Sequence, residues 1–375
     1  RQPGSHGRIQ RDHRTMLFSR RNHAFLQCPE RAGPDLRRAR SLGAAVLIAG
    51  FGLTACDVSE PERPDSANPD ADVREAIVTS AFSTSERAGA LAFLPSQDEP
   101  WTGLIAAALV DGGFDVFNID GLRVLSASGP QLTALAPAPE FPLRGETFPL
   151  VFGADMNGQL RGYAIIREAE DVAELPLEGD GAEGVVNAAC LFETGIGYFD
   201  LALLGEQAEA RIVRVRDAGG AGLELEVREQ FDLPFPARNC AGAPGDEALL
   251  IASPNSGLAR VKLNGRVEAF EAGRSVNDVT FTDLLGRPVA LTVSADTGRM
   301  GVFDGRDLTL LNEVVLNDGI NAPGFQSPSA LAVTGSNFGG MAFSTGVIAV
   351  YDRGDDRVKL VAREVIGRAI MSEGS

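Results

Sequence analysis

From Ala76 onward the chain is a succession of apolar runs of five to eight residues, rich in Val, Leu, Phe and Ala and divided by Gly, Asp and Asn turns. No stretch sustains a 3.6-residue period, and only 205–210 and 362–370 are weak helical candidates. Short strands bounded by turn residues at even spacing point to an all-β sandwich, barrel or propeller.

The repeat decides among these. A small-residue strand, a strongly apolar strand and a more polar strand follow one another in six units: 89–126, 131–166, 184–231, 239–270, 276–316 and 329–364. Each is about 40–55 residues with its connection, which is the size of a four-stranded propeller blade. The second unit is predicted to open on an inner strand over Gln131–Ala136. The sixth lacks an outer strand, while Ala76–Ser83 is a spare strand ahead of the first. Letting that strand complete the last blade removes two exposed edges at once. The expectation is an all-β, six-bladed β-propeller over 76–375, its ring closed by an N-terminal strand.

The first 75 residues follow another pattern. Arg37, Arg38 and Arg40 precede an apolar run from Leu42 to Phe51, about half the ~20 residues a membrane span needs. Leu53-Thr54-Ala55-Cys56 then resembles the lipobox of bacterial lipoproteins, which implies cleavage before Cys56 and lipidation of its thiol. Asp57, next in the chain, resembles the residue that retains some of these lipoproteins on the inner membrane. Residues 1–55 are read as an upstream segment and signal peptide that is removed. Residues 56–75, acidic and proline-rich, are read as a solvated tether. The expected location is the cell envelope, anchored to a membrane and facing the periplasm or exterior.

Cutting at Cys56 changes the chemistry on offer. The whole chain carries a formal charge of −17. The removed part holds ten arginines and three acids, which leaves 24 basic against 48 acidic groups, a formal −24. Such a surface disfavours nucleic acid as a partner. His6, His13 and His23 all lie in the removed part, so the remainder has no Ser-His-Asp triad, Cys-His pair or histidine-bound zinc. Lys262 and Lys359 are its only lysines. Cys190 and Cys240 are left as one cysteine pair, read as a disulfide in an oxidising envelope, the alternative being two buried thiols.

Three stretches resemble the β-propeller phytases. They are Gly112-Gly113-Phe114-Asp115-Val116-Phe117-Asn118-Ile119-Asp120-Gly121, then Glu226–Phe231 with Asn239-Cys240 and Leu250–Ala252, and Gly346–Asp352 followed by Val358–Val361. The resemblance implies a calcium-dependent 3-phytase, a phosphomonoester hydrolase whose carboxylates hold calcium at the top of the channel. It also implies a disulfide at positions like Cys190 and Cys240. The family's carboxylates and basic residues are mostly replaced, however, by Ala88–Phe93, Val110-Asp111, Gln131–Ala136, Arg238-Asn239, Ser253-Pro254, Asn277-Asp278 and Ser329–Ala332, and Asp352 alone matches cleanly. No catalytic or metal-ligating residue is therefore assigned and no cofactor is expected, with calcium returning under the hydrolase alternative. Asp155, Asp278, Asp296 and Asp352 are weak candidates for one rim, and Trp101 for a contact residue. The expected function is a monomeric, phytase-like binding or scaffold module, with a membrane as one partner through its anchor.

Overall fold

The second strands are buried on both faces over most of their length, which is why they read as unbroken apolar runs rather than as alternating ones. In the computed structural model, which describes residues 72–220 and 222–371, a strand such as Leu104–Leu109 has every residue buried. The outer strands, such as Arg123–Ala127, alternate toward solvent. Each sheet is thus an upright blade covered by its two neighbours.

The chain enters with β1 (Val73–Ile77) and β2 (Ser80–Ser83). The first blade is β3 (Ala88–Leu94), β4 (Leu104–Leu109), β5 (Phe114–Asn118) and β6 (Arg123–Ala127). The second is β7 (Ala136–Leu143), β8 (Glu146–Ala154), β9 (Leu160–Ile166) and β10 (Asp171–Leu175). After the short β11 (Leu177–Glu178), the third holds β12 (Ala188–Gly195), β13 (Tyr198–Leu204), β14 (Glu209–Asp217) and β15 (Leu223–Asp232). The fourth comprises β16 (Asn239–Ala243), β17 (Ala248–Ser253), β18 (Gly257–Lys262) and β19 (Val267–Glu271). The fifth has β20 (Asp278–Leu284), β21 (Arg287–Ser294), β22 (Arg299–Asp304) and β23 (Leu310–Asn317). The sixth has β24 (Pro328–Thr334), β25 (Val347–Asp352) and β26 (Arg357–Ala362), after which α1 (Arg363–Met371) ends the described chain.

Six sheets result, and the inner strands β3, β7, β12, β16, β20 and β24 touch in that order and back to β3. The fold is a six-bladed β-propeller. Closure is by the N-terminal segment, but that segment divides its pairing. β2 runs antiparallel to β26 and completes the sixth blade, while β1 runs parallel to β23 and adds a fifth strand to the fifth. β1 begins at Val73, three residues ahead of the boundary expected from sequence.

Two placements differ from expectation. The inner strand of the second blade is Ala136–Leu143, whereas Gln131–Ala136 supplies only a Leu132–Asp155 bridge before it. Pro137, Pro139 and Pro142 hid this strand. They fit because only one edge of β7 is paired, with β8, and a proline can face the open edge without losing a ladder hydrogen bond. The 205–210 stretch is the turn between β13 and β14 together with the first two residues of β14, not a helix, whereas 362–370 falls in α1 from its second residue on.

Blades are held by apolar packing across their faces. Phe199 meets Phe141 and Phe152 of the second blade at 5.0 and 5.3 Å, and Phe93 meets Phe338 at 5.2 Å. Fully burying such a side chain contributes roughly 1.5–3 kcal/mol. Gly242 on β16 allows a close approach of two inner strands, since a Cβ there would lie 2.7 Å from the Phe192 backbone on β12. Cys190 and Cys240 bridge the same two strands as a disulfide, their Cα atoms 5.8 Å apart. Cys56, the lipobox, Asp57 and most of the tether lie outside the described residues.

Candidate functional site

The residues at or just before the starts of the inner strands gather round one end of the channel. Gly89, Gln131, Thr133, Asn187, Arg238, Asn239, Asn277 and Ser329 border a mouth of about 570 Å³, joined by Asp155, Asn157, Glu206 and Arg353 from the turns after the second strands. Three blades in succession put an asparagine there: Asn187 before β12, Asn239 opening β16, and Asn277 before β20. An asparagine suits a strand start because its carbonyl can accept from nearby backbone, as Asn277 does from Ala295 N at 2.8 Å. Its NH₂ group then stays available as a donor.

Of the carboxylates suggested by the sequence, Asp155 and Asp352 are already engaged by basic partners. Asp155 lies at the mouth, but its Oδ2 accepts from Arg161 Nε and Nη2 at 3.1 and 3.0 Å, and its Oδ1 from Asn157 and Gln159 N. Burial pushes its carboxyl upward, but the Gln159 N–H, the Arg161 guanidinium and the Asn157 N–H outweigh that and hold it below the usual carboxylate range. Asp352 is completely buried beside Lys359, 2.6 Å away, and accepts further bonds from Gln326, Ser327 and Gly354 N. With Asp200–Arg214 at 2.8 Å, blades two, three and six each join an acid at the end of or within the second strand to a base on the third. Asp296 is exposed in the β21–β22 turn. Trp101 is 64% exposed after β3 and away from the mouth.

Calcium needs six to eight converging oxygen ligands. Among the described residues no three His, Cys, Asp or Glu side chains come together to hold a metal ion. Besides guanidinium, carboxamide and hydroxyl groups, the mouth holds two carboxylates, the buried Asp155, taken by Arg161, and the exposed Glu206. These residues do not fit a calcium centre.

No family model matches the sequence, and no curated protein matches it. Among solved structures, the crystal structure of BBS1N in complex with ARL6DN, soaked with mercury, aligns over 73% of this chain and 77% of that one, at 9% identity and a TM-score of 0.43.

Arg238 and Arg353 are what the sequence reading missed. Both are exposed at the mouth, and among the described residues neither has a carboxylate in ion-pair range. The signal was present at Arg238-Asn239, where the comparison with phytases noted only a departure. Arg353 follows β25 in the same turn position as Asp155 after β8, which becomes visible once the blades are superimposed in order. Behind the mouth, between the inner strands, lies a second space of about 220 Å³ that contains Asp278.

Proposed function

We propose that this chain is a lipid-anchored β-propeller of the bacterial envelope that binds a ligand at its channel mouth and performs no calcium-dependent hydrolysis. The observation that carries the reading is the mouth itself. It offers two unpaired guanidinium groups and a set of amide donors, while its buried carboxylate is already neutralised. Such a surface holds a ligand rich in hydrogen-bond acceptors or negative charge. It lacks the clustered carboxylates that a metal-assisted phosphoryl transfer requires. A propeller is also a rigid support for a site assembled from several blades. The anchor is supported by the Arg37–Cys56 pattern, the tether by the acidic composition that follows, and exclusion of nucleic acid by the negative charge.

The alternative, a divergent calcium-dependent phosphohydrolase, separates cleanly in a melting experiment. A ligand that binds only the folded state raises Tm. The reading predicts an unchanged Tm between chelator and millimolar calcium; a rise of several degrees contradicts it. For the anchor, the expected mass of envelope-extracted protein is that of a chain beginning at a lipidated Cys56, and an unmodified Cys56 in that fraction is the opposing result.

A further inference from the structure

Asn239 lines both the mouth and the space between the inner strands, so the two adjoin at that residue. The inner space is about 220 Å³; a dry cavity of about 150 Å³ already accepts benzene. Leu91, Phe93, Leu135, Phe281 and Leu331 supply the apolar part of its wall, the remainder being polar. A single charged side chain is set into that wall: Asp278, 5% exposed.

Asp278 ties three blades together. Its Oδ1 accepts from Val279 N at 2.7 Å, its Oδ2 from Leu331 N on β24 at 2.7 Å, and the Asn239 amide on β16 supplies a third bond. A carboxylate has about four acceptor positions, so one is left over. Among the described residues no cation answers it. Among the elements packed on β20, Arg238 precedes β16 at the mouth, Arg287 of β21 pairs with Asp304 at 2.9 Å, and Arg363 of α1 donates to the Asp283 carbonyl. Arg353, after β25, lines the mouth. Burial without a counter-ion pushes the Asp278 carboxyl up to about 7, against the three hydrogen bonds that favour its charged form.

The channel thus holds a buried carboxylate without a cation, an apolar wall, and two arginines without an anion at the entrance. We propose that it binds a small apolar amino acid as its zwitterion, the ammonium on Asp278, the side chain against Phe93, Phe281 and the leucines, and the carboxylate toward Arg238 and Arg353. Each end of such a ligand supplies the charge that the protein lacks at that depth, which offsets the cost of burying Asp278 uncompensated. This rests on the binding-module reading and names the ligand class of that same site.

The test is the thermal shift and calorimetric affinity of the full chain with L-leucine and with L-phenylalanine. Phenethylamine and 3-phenylpropionate serve as ligands that each lack one charged end. Either amino acid is expected to raise Tm, and the phenylalanine shift to exceed that of both one-ended analogues. Asp278→Asn is expected to remove the shift, and Arg238→Ala with Arg353→Ala to weaken binding about tenfold. Should Asp278→Asn fail to fold, the wild-type protein still decides. Affinity should fall about tenfold for each pH unit below 7, as the carboxylate takes up its proton. No shift with either amino acid at pH 8, or an affinity unchanged from pH 8 to pH 5, overturns the proposal. Because the non-catalytic reading is judged by the calcium response, failure here leaves that reading standing, and a calcium response undoes it independently.

Discussion

Lys359 and Asp352 form the most deeply buried ion pair in the described fold, both side chains at 0% exposure and 2.6 Å apart. Taking two charges out of water is costly, and a pair of this kind holds only because the remaining hydrogen-bonding positions are filled. Here Gln326, Ser327 and Gly354 N–H groups fill those of Asp352, and the Gly324 carbonyl accepts from Lys359. Replacing Lys359 by Met should therefore cost about 3–5 kcal/mol, because Asp352 keeps its burial and loses its counter-ion. Urea denaturation of Lys359→Met, and of the same change combined with Asp352→Asn, checks this: the double variant should be less destabilised than the sum of the two single changes. The acids also set the pH response. Burial raises Asp352 and Asp155, but their hydrogen-bonding partners more than offset it, so both lie below the ordinary range. Their contribution is complete above the unfolded value near 4 and is lost as pH falls further. Asp278 acts in the opposite sense. Its raised value means the folded state holds the proton more tightly, so its contribution is complete below about 4 and is lost as pH rises toward about 7. Without ligand, stability is expected to decline from pH 5 to pH 7 in urea titrations, and Asp278→Asn to flatten that limb. A flat wild-type profile would show that Asp278 titrates normally.

Among the elements, the N-terminal strands and the disulfide hold the ring. β1 and β2 lie far in sequence from β23 and β26, yet they pair with those outer strands and join the start of the chain to its last two blades. Removing residues 72–83 exposes two strand edges, and the expected result is a lower Tm with self-association, visible by light scattering. The disulfide joins the third and fourth inner strands across 50 residues of chain. Replacing both cysteines with alanine should destabilise the fold by roughly 2–4 kcal/mol without changing its strand content. At this scale the sequence was largely legible. β16 opens at Asn239, where the fourth predicted unit begins, and β17 is a fully buried apolar run that ends at Ser253 just ahead of a proline turn. β7 was misplaced because its three prolines read as a loop until one knows that its free edge faces the channel. β10 and β11 were missed as well, since strands at the outer margin of a blade carry half-exposed residues with little apolar signal.

For the whole molecule, the sequence was legible in what it removed and less so in what it assembled. The histidine-free region after Cys56 and the substituted phytase positions already argued against a hydrolase. The mouth was not readable, because its residues come from separate blades and are brought together only by ring closure. Asn187, Arg238, Asn277 and Arg353 lie across 167 positions of sequence and share one rim. The resulting account is of a six-bladed ring in which Asp155, Asp200 and Asp352 are paired with bases inside their blades, while Arg238 and Arg353 at the channel entrance have no carboxylate partner among the described residues. A direct assay tests this: phosphate release from phytate by the purified chain in millimolar calcium, with a chelated control. The account predicts release no greater than without protein. Phosphate release at ordinary enzyme rates that disappears on chelation would contradict it.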